Sequence, residues 1–236
     1  MGARTLVVIP TFNEVLNIQE LYQRIRSYDS DKDLLFVDSN SLDGTQQVIE
    51  EIMKNDKKVF ILKYAKKEGL GRAYISGFLW GINMGYDWFQ QIDADLSHDP
   101  VYLRDFDRLK SANKVIVASR YIKSGGVEKW GFCRRLLSFL GCFYLRLIFQ
   151  CNLHDLTGGF NCWHRDVISG IDLNRIVSRG FVFQSELKFK AFKKGFKIIE
   201  FPYIFKERKK GQSKINYRII LEGLFMPIII RLNRRS

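Results

Sequence analysis

Residues 5–28 read TLVVIPTFNEVLNIQELYQRIRSY: an aliphatic run at Thr5–Ile9, a polar break, then apolar residues at helical spacing. A short apolar run followed by an amphipathic stretch is one strand–helix unit. The pattern recurs, with further runs at Leu34–Val37, Val59–Leu62, Trp88–Ile92 and Val115–Ala118. Helix starts are expected between them. Asn13 precedes the amphipathic Glu14–Tyr28, Asp43 and Gln46 form a capping box ahead of Val48–Met53, and Asp99 with Pro100 supplies an N-cap and first helical residue. Such alternation predicts an α/β fold: a mostly parallel sheet with helices on both faces. Ligands of these sheets bind beyond the C-terminal strand ends. The candidate site is therefore Pro10–Glu14, Asp38–Asp43, Lys66–Gly71, Asp93–His98 and Ser119–Tyr121.

The second half is less regular. It offers an amphipathic segment at 131–150, a glycine turn at 158–159, a helix near 182–194, a strand near Lys197–Phe201 and a basic loop, FKERKKGQSK, at 205–214. The formal net charge of +13 is concentrated here: from Glu186 onward there are 14 Lys and Arg against 4 Asp and Glu. That field suits a polyanionic partner, whether phosphates, nucleic acid or an anionic membrane. The basic loop lacks interleaved aromatics and no nucleic-acid motif is present, which argues against nucleic acid. MGARTLVVIPTF has no signal-peptide cleavage pattern, so no secretory leader is expected. The cysteines at 133, 142, 151 and 162 form no CxxC pair, so free thiols are expected rather than a zinc site.

Several clusters could carry chemistry. Asp93-Ala94-Asp95 ends an apolar run, and residues i and i+2 of an extended segment face one way. Two such carboxylates suit Mg²⁺ or Mn²⁺ completed by waters and phosphates; the plain alternative is a solvated acidic turn. Lys66–Gly71 opens a helix, where Gly69 and Gly71 allow a phosphate to approach, although a simple turn reads equally well. Position 74 is Tyr, so the third glycine of a dinucleotide fingerprint is missing. In 131–150, Arg135, Ser138, Cys142 and Arg146 form one stripe and apolar residues occupy most of the rest. This is a core helix with snorkelling arginines or a helix lying in a membrane interface. The C-terminal RIILEGLFMPIIIRLNRRS has the same ambiguity and is too short to span. Together the two segments favour contact with a membrane surface.

In order and spacing these blocks resemble the dolichol-phosphate or polyprenol-phosphate mannosyltransferases, family-two inverting glycosyltransferases of the GT-A fold. The resemblance rests on VVIPTFNE (7–14), VDSNSLDGT (37–45), KKEGLGRAYISGF (66–78), DADLSHDP (93–100) and ASRY (118–121). WGFCRRLLS (130–138), DLTGGF (155–160), FQSELKFKA (183–191) and the basic loop add the features more particular to polyprenyl-phosphate acceptors.

The resemblance implies roles. Pro10, Phe12, Glu14 and Asp38 would line the base and ribose pocket, with Lys66, Gly69, Ala94, Gln184 and Glu186 also on the donor side. Asp93 and Asp95, with Ser97, would hold Mg²⁺ or Mn²⁺. Arg120 and Arg134 would face phosphates, and Ser138, Arg208, Ser213 and Lys214 would serve the acceptor. Three positions depart from the family: Ser39 for a common Asp, Ser97 for a Gln ligand and Asn161 for an Arg. The implied reaction moves mannose from GDP-mannose to a polyprenyl phosphate in one inverting displacement. The expected organisation is a GT-A domain over 1–215, including an interfacial helix at 131–150, then a basic amphipathic extension over 216–236. The protein is expected to be peripheral on the cytoplasmic face of a membrane, where an anchoring subunit could assist. The alternative keeps the fold but uses UDP-glucose, another nucleotide sugar or a saccharide acceptor. A saccharide hydroxyl needs a general base, for which Glu186 or Asp155 would be the candidates.

Overall fold

The computed structural model describes residues 2–66, 68–111, 114–178, 180, 182–207 and 217–232, with the side chains of the last segment from 221 onward. The five apolar runs are strands: β1 (Thr5–Thr11), β2 (Asp33–Asp38), β3 (Val59–Lys63), β4 (Trp88–Gln91) and β5 (Lys114–Ser119). Between them lie α1 (Val15–Tyr28), α2 (Thr45–Asn55), α3 (Leu70–Asn83) and, after a 3₁₀ turn at Pro100–Tyr102, α4 (Leu103–Leu109). There follow the short β6 (Gly126–Val127), α5 (Phe132–Phe149), β7 (Asn161–His164), α6 (Arg165–Gly170), α7 (Val182–Lys193), β8 (Lys197–Pro202), β9 (Ile204–Phe205) and α8 (Tyr217–Leu232).

The main sheet runs β3-β2-β1-β4-β7-β5-β8, and β6 pairs with β9 alongside. Within the main sheet only β7 is reversed, antiparallel to both β4 and β5. Strand alternation divides the core. Val7, Ile9, Leu34 and Phe36 pack with Ile18, Leu21, Ile49 and Phe106 of α1, α2 and α4. Leu6, Val8, Leu35 and Val37 face the other way, against Tyr74 and Phe78 of α3 and Phe183 and Leu187 of α7. Helices on both faces explain why these strands read as unbroken apolar runs.

Two helix starts differ from the sequence reading. Asn13 is not the cap of α1: its backbone is left-handed (φ 56°) and its Oδ1 accepts from the Leu42 N–H at 3.1 Å. Gln46 forms no capping box, because its amide donates to Asp38 Oδ1 at 2.6 Å. Asp99 behaves as expected, accepting from the Val101 N–H ahead of Pro100. The C-terminal α8 packs against the rest of the domain. Ile230 of α8 packs with Leu145 and Phe149 of α5 and Phe189 of α7 in a third core. All four cysteines are free; three are buried and Cys133, at the start of α5, is exposed.

Candidate functional site

β1, β2, β4 and β5 end together, and reversed β7 begins there, so its preceding turn joins the same rim. At the β1–β2 side, Asp38 is fully buried and accepts from Thr11 Oγ1 (3.0 Å), Ser41 Oγ (2.6 Å), the Ser41 N–H (2.9 Å) and Gln46 Nε2 (2.6 Å). Its carboxylate thus organises the rim. The segment after β1 is held the same way: the Asn13 N–H donates to Ser41 Oγ and the Glu14 N–H to Thr45 Oγ1, both at 2.9 Å. Pro10, Phe12 and Glu14 are partly exposed along this edge.

Ala94 and Leu96 turn into the core, which leaves Asp93 and Asp95 partly exposed on the outer side of the turn. This is the alternation the spacing predicted. Asp93 Oδ1 accepts from the Tyr74 hydroxyl at 3.0 Å, and its N–H donates to His98 Nδ1 at 3.2 Å. His98 is buried and stacked on Phe160 at 4.8 Å; burial pushes its imidazole below the ordinary value. Ser97, also buried, braces the turn through its main chain. Its N–H donates to Asp95 Oδ1 and its carbonyl accepts from the Lys206 N–H, both at 3.1 Å. Gly159 and Gln184 border the same space. Among the described residues no three His, Cys, Asp or Glu side chains converge on a closed metal cage. Two carboxylates on one turn fit a hard cation whose remaining ligands come from water and substrate.

Two glycines near the start of α3 have conformational and packing roles. Gly69 has φ +99°, a conformation L side chains rarely adopt, and a β-carbon on Gly71 would lie 2.8 Å from the Phe183 ring. Lys66 is largely exposed, 3.8 Å from Glu68. Tyr74, noticed in the sequence only as a missing glycine, is the residue of α3 that reaches the DxD turn.

Arg120, expected to face a substrate phosphate, is held by an internal partner. Its Nε and Nη2 grip Asp155 at 2.7 Å each, Nη2 also donates to Thr157 Oγ1 at 2.7 Å, and the guanidinium lies 5.2–5.9 Å from the rings of Tyr121, Phe205 and Trp130. The cause is the fully buried Asp155, whose charge has no water to answer it. Burial alone would raise the Asp155 pKa, but the Arg120 charge and hydrogen bonds hold it well below the ordinary range. Beneath it, buried Lys188 donates to the carbonyls of Asp155 and Gly158 at 2.8 Å each, and burial brings its ammonium down to about 8. Glu186, also buried, accepts from the N–H groups of Val177 and Ser178 and pairs with Lys190 at 3.6 Å. It anchors the Val177–Ser178 loop. Both carboxylates proposed as bases for a saccharide acceptor are thus engaged inside the protein.

Arg134 is partly exposed, 4.2 Å from the Trp130 ring centroid, and donates to Glu207 at 2.8 Å. Lys206 reaches Asp99 at 2.8 Å. The entrance to the basic loop is thereby fastened to the DxD turn on one side and to α5 on the other; Arg208, Ser213 and Lys214 lie outside the described residues. Ser138 accepts from the Tyr121 hydroxyl at 2.6 Å. Beside this contact runs an open groove of about 430 Å³ lined by Arg120, Tyr121, Arg135, Phe132, Leu136 and Phe139. It opens along the outer face of α5, where Phe132, Leu137, Phe139, Leu140, Phe143 and Leu147 are exposed. The adjoining α8 exposes Leu221, Leu224, Phe225, Ile228, Ile229 and Leu232. The Tyr144 hydroxyl donates to the Leu224 carbonyl at 2.6 Å and ties the two helices together. No described helix is long and apolar enough to cross a membrane.

This α/β sheet with a DxD turn at its rim belongs to a known class of sugar-transferring enzymes. Residues 6–171 match the model of the family described as Glycosyl transferase family 2, and the chain belongs to that family. Within it, the chain is 36% identical over 222 residues to Undecaprenyl-phosphate mannosyltransferase of Micrococcus luteus, covering 94% of this chain and 91% of that protein. It is likewise 36% identical over 224 residues to Polyprenol monophosphomannose synthase of Mycolicibacterium smegmatis, covering 94% and 84%. The resemblance carried by the motifs is therefore borne out. The fold matches glucosyl-3-phosphoglycerate synthase from Mycobacterium tuberculosis, solved with Mn²⁺, UDP and glucosyl-3-phosphoglycerate. The TM-score is 0.67 at 16% identity, over 98% of this chain and 80% of that one.

Proposed function

We propose that this glycosyltransferase moves mannose from GDP-mannose onto a polyprenyl phosphate at a membrane surface. The observation that carries the reading is convergence. The DxD turn, the fastened start of the basic loop, Arg134 and a groove running out along an exposed apolar helix meet at one rim. The Micrococcus and Mycolicibacterium relatives, named for transfer to undecaprenyl phosphate and for polyprenol monophosphomannose synthesis, support the same acceptor chemistry.

A phosphate monoester has a second pKa of about 6, so near neutral pH the acceptor is largely a dianion. Its oxygen forms the new bond to the anomeric carbon as the bond to the donor diphosphate breaks, with inversion, and the nucleoside diphosphate leaves. No protein base is required, in keeping with the burial of Glu186 and Asp155. Asp93 and Asp95 would hold a Mg²⁺ or Mn²⁺, which when bound supplies Lewis-acid neutralisation of the diphosphate. Arg134, with Arg208, Ser213 and Lys214 of the loop, would offset repulsion between two phosphate-bearing substrates, and Ser138 would line the acceptor side. The exposed faces of α5 and α8 would lie in the headgroup region, bringing the rim to a lipid phosphate.

The test is transfer of label from GDP-mannose into a solvent-extractable polyprenyl phosphate, with Mg²⁺ or Mn²⁺ and an EDTA control. Metal-dependent label in the lipid fraction is expected. Turnover of UDP-glucose, or of a saccharide acceptor, with no label in the lipid would overturn the reading.

A further inference from the structure

Tyr74 and His98, neither given a role by the resemblance, converge on Asp93. Tyr74 is fully buried on α3. Its ring lies parallel to that of Phe183 on α7, with centroids 6.2 Å apart and 4° between the planes, and is stacked on Phe78 one turn further along α3 at 6.1 Å. A ring held between two others has little freedom in where it puts its hydroxyl, and that hydroxyl is 3.0 Å from Asp93 Oδ1. An ionised carboxylate only accepts, so Tyr74 is the donor. His98 is buried and stacked on Phe160 at 4.8 Å. The Asp93 main-chain N–H only donates, so His98 Nδ1, 3.2 Å away, accepts and the ring proton sits on Nε2. Asp93 is thus pinned twice, at its backbone by His98 and at one carboxylate oxygen by Tyr74. Its other oxygen, Oδ2, is 3.7 Å from where a β-carbon on Gly159 would lie and looks onto the gap that this glycine leaves.

We propose that Tyr74 and His98 are positioning residues for the divalent cation, fixing Asp93 so that Oδ2 is the oxygen presented to the metal. The inference rests on the metal-dependent reading above. A carboxylate that swings freely must be ordered each time a cation binds, whereas one held by packed rings is ordered when the chain folds. Partners that orient a metal ligand in this way are worth about 10–100-fold in metal affinity.

The test is Mn²⁺ binding in the presence of GDP and, in parallel, of UDP, read from the electron paramagnetic resonance of the unbound ion with each nucleotide alone as blank. Wild type, Tyr74→Phe, His98→Phe and His98→Asn are compared after thermal melting shows which are folded. Tyr74→Phe and His98→Phe are expected to bind Mn²⁺ about tenfold more weakly. His98→Asn keeps most of the affinity, because its Oδ1 still accepts from the Asp93 N–H. In the transfer assay Tyr74→Phe should need about tenfold more Mn²⁺ for half its maximal rate and approach the wild-type rate at saturation. A ring that served packing alone would lower the melting temperature and leave the Mn²⁺ requirement where it was. Unchanged Mn²⁺ affinity in folded Tyr74→Phe, or lost transfer that excess Mn²⁺ does not restore, overturns the inference alone. If Tyr74→Phe does not fold, equal Mn²⁺ affinity in His98→Phe and His98→Asn does the same. A wild type that binds no Mn²⁺ beyond the nucleotide blanks overturns the metal reading and this inference with it.

Discussion

Asp155 and Asp95 are carboxylates at the same rim of the sheet, and their surroundings are opposite. Asp155 is fully buried, gripped by both arms of Arg120 and by the N–H groups of Arg120 and Gly158. Asp95 is partly exposed on a turn braced from behind by Ser97. The first centre is closed on itself and sets the shape of the rim; the second faces outward. The lesson is that a conspicuous charge in a sequence is assigned a role by what answers it. Arg120 stands just past a strand end, where a phosphate-facing arginine is expected, yet its partner is a buried acid 35 residues away.

Substitutions that separate activity from stability sharpen this contrast. Asp95→Ala is expected to lower transfer by at least about a thousandfold with the melting temperature unchanged. A clear drop in melting temperature, or near-normal transfer, would erase the distinction. Asp155→Asn should do the reverse first. Breaking a buried pair from one side leaves the Arg120 charge uncompensated, costing about 3–5 kcal/mol in chemical denaturation. Its pH dependence has a definite sign. The folded-state pKa of Asp155 is depressed from an ordinary value of 3.8, so its stabilisation is complete above that value and lost as pH falls below it. The stability gap between wild type and Asp155→Asn should therefore be flat above about pH 5 and narrow in more acid solution. Lys188→Met should have the smallest effect, about 1–3 kcal/mol, because two carbonyls lose their donor while a cation that burial already disfavours is removed. A loss larger than that of Asp155→Asn would make Lys188, not Arg120, the centre of the closed cluster.

Much of this was legible in the sequence. The five runs gave the strands, and the spacing of Asp93 and Asp95 placed both carboxylates outward because Ala94 between them is the residue that packs inward. The amphipathic 131–150 segment formed α5 with its apolar face exposed. What could not be read depends on contacts distant in the chain. Gln46 turned from capping to Asp38, Glu186 was drawn to the Val177–Ser178 loop, and Tyr74 to Asp93. The reversal of β7 and the docking of α8 are tertiary outcomes that no local periodicity encodes. The helix α7 is buried around most of its circumference, Lys188 and Lys190 included, so its sequence lacked the polar face that would have marked its orientation.

The distribution of thiols supplies an experimental handle that needs no engineering. Cys142, Cys151 and Cys162 are shielded in the interior, while Cys133 opens the helix whose outer side is apolar. A polarity-sensitive dye coupled to the untouched protein would label that one position. Its emission could then be followed as vesicles are added, giving a direct optical record of whether the first turn of α5 enters a bilayer.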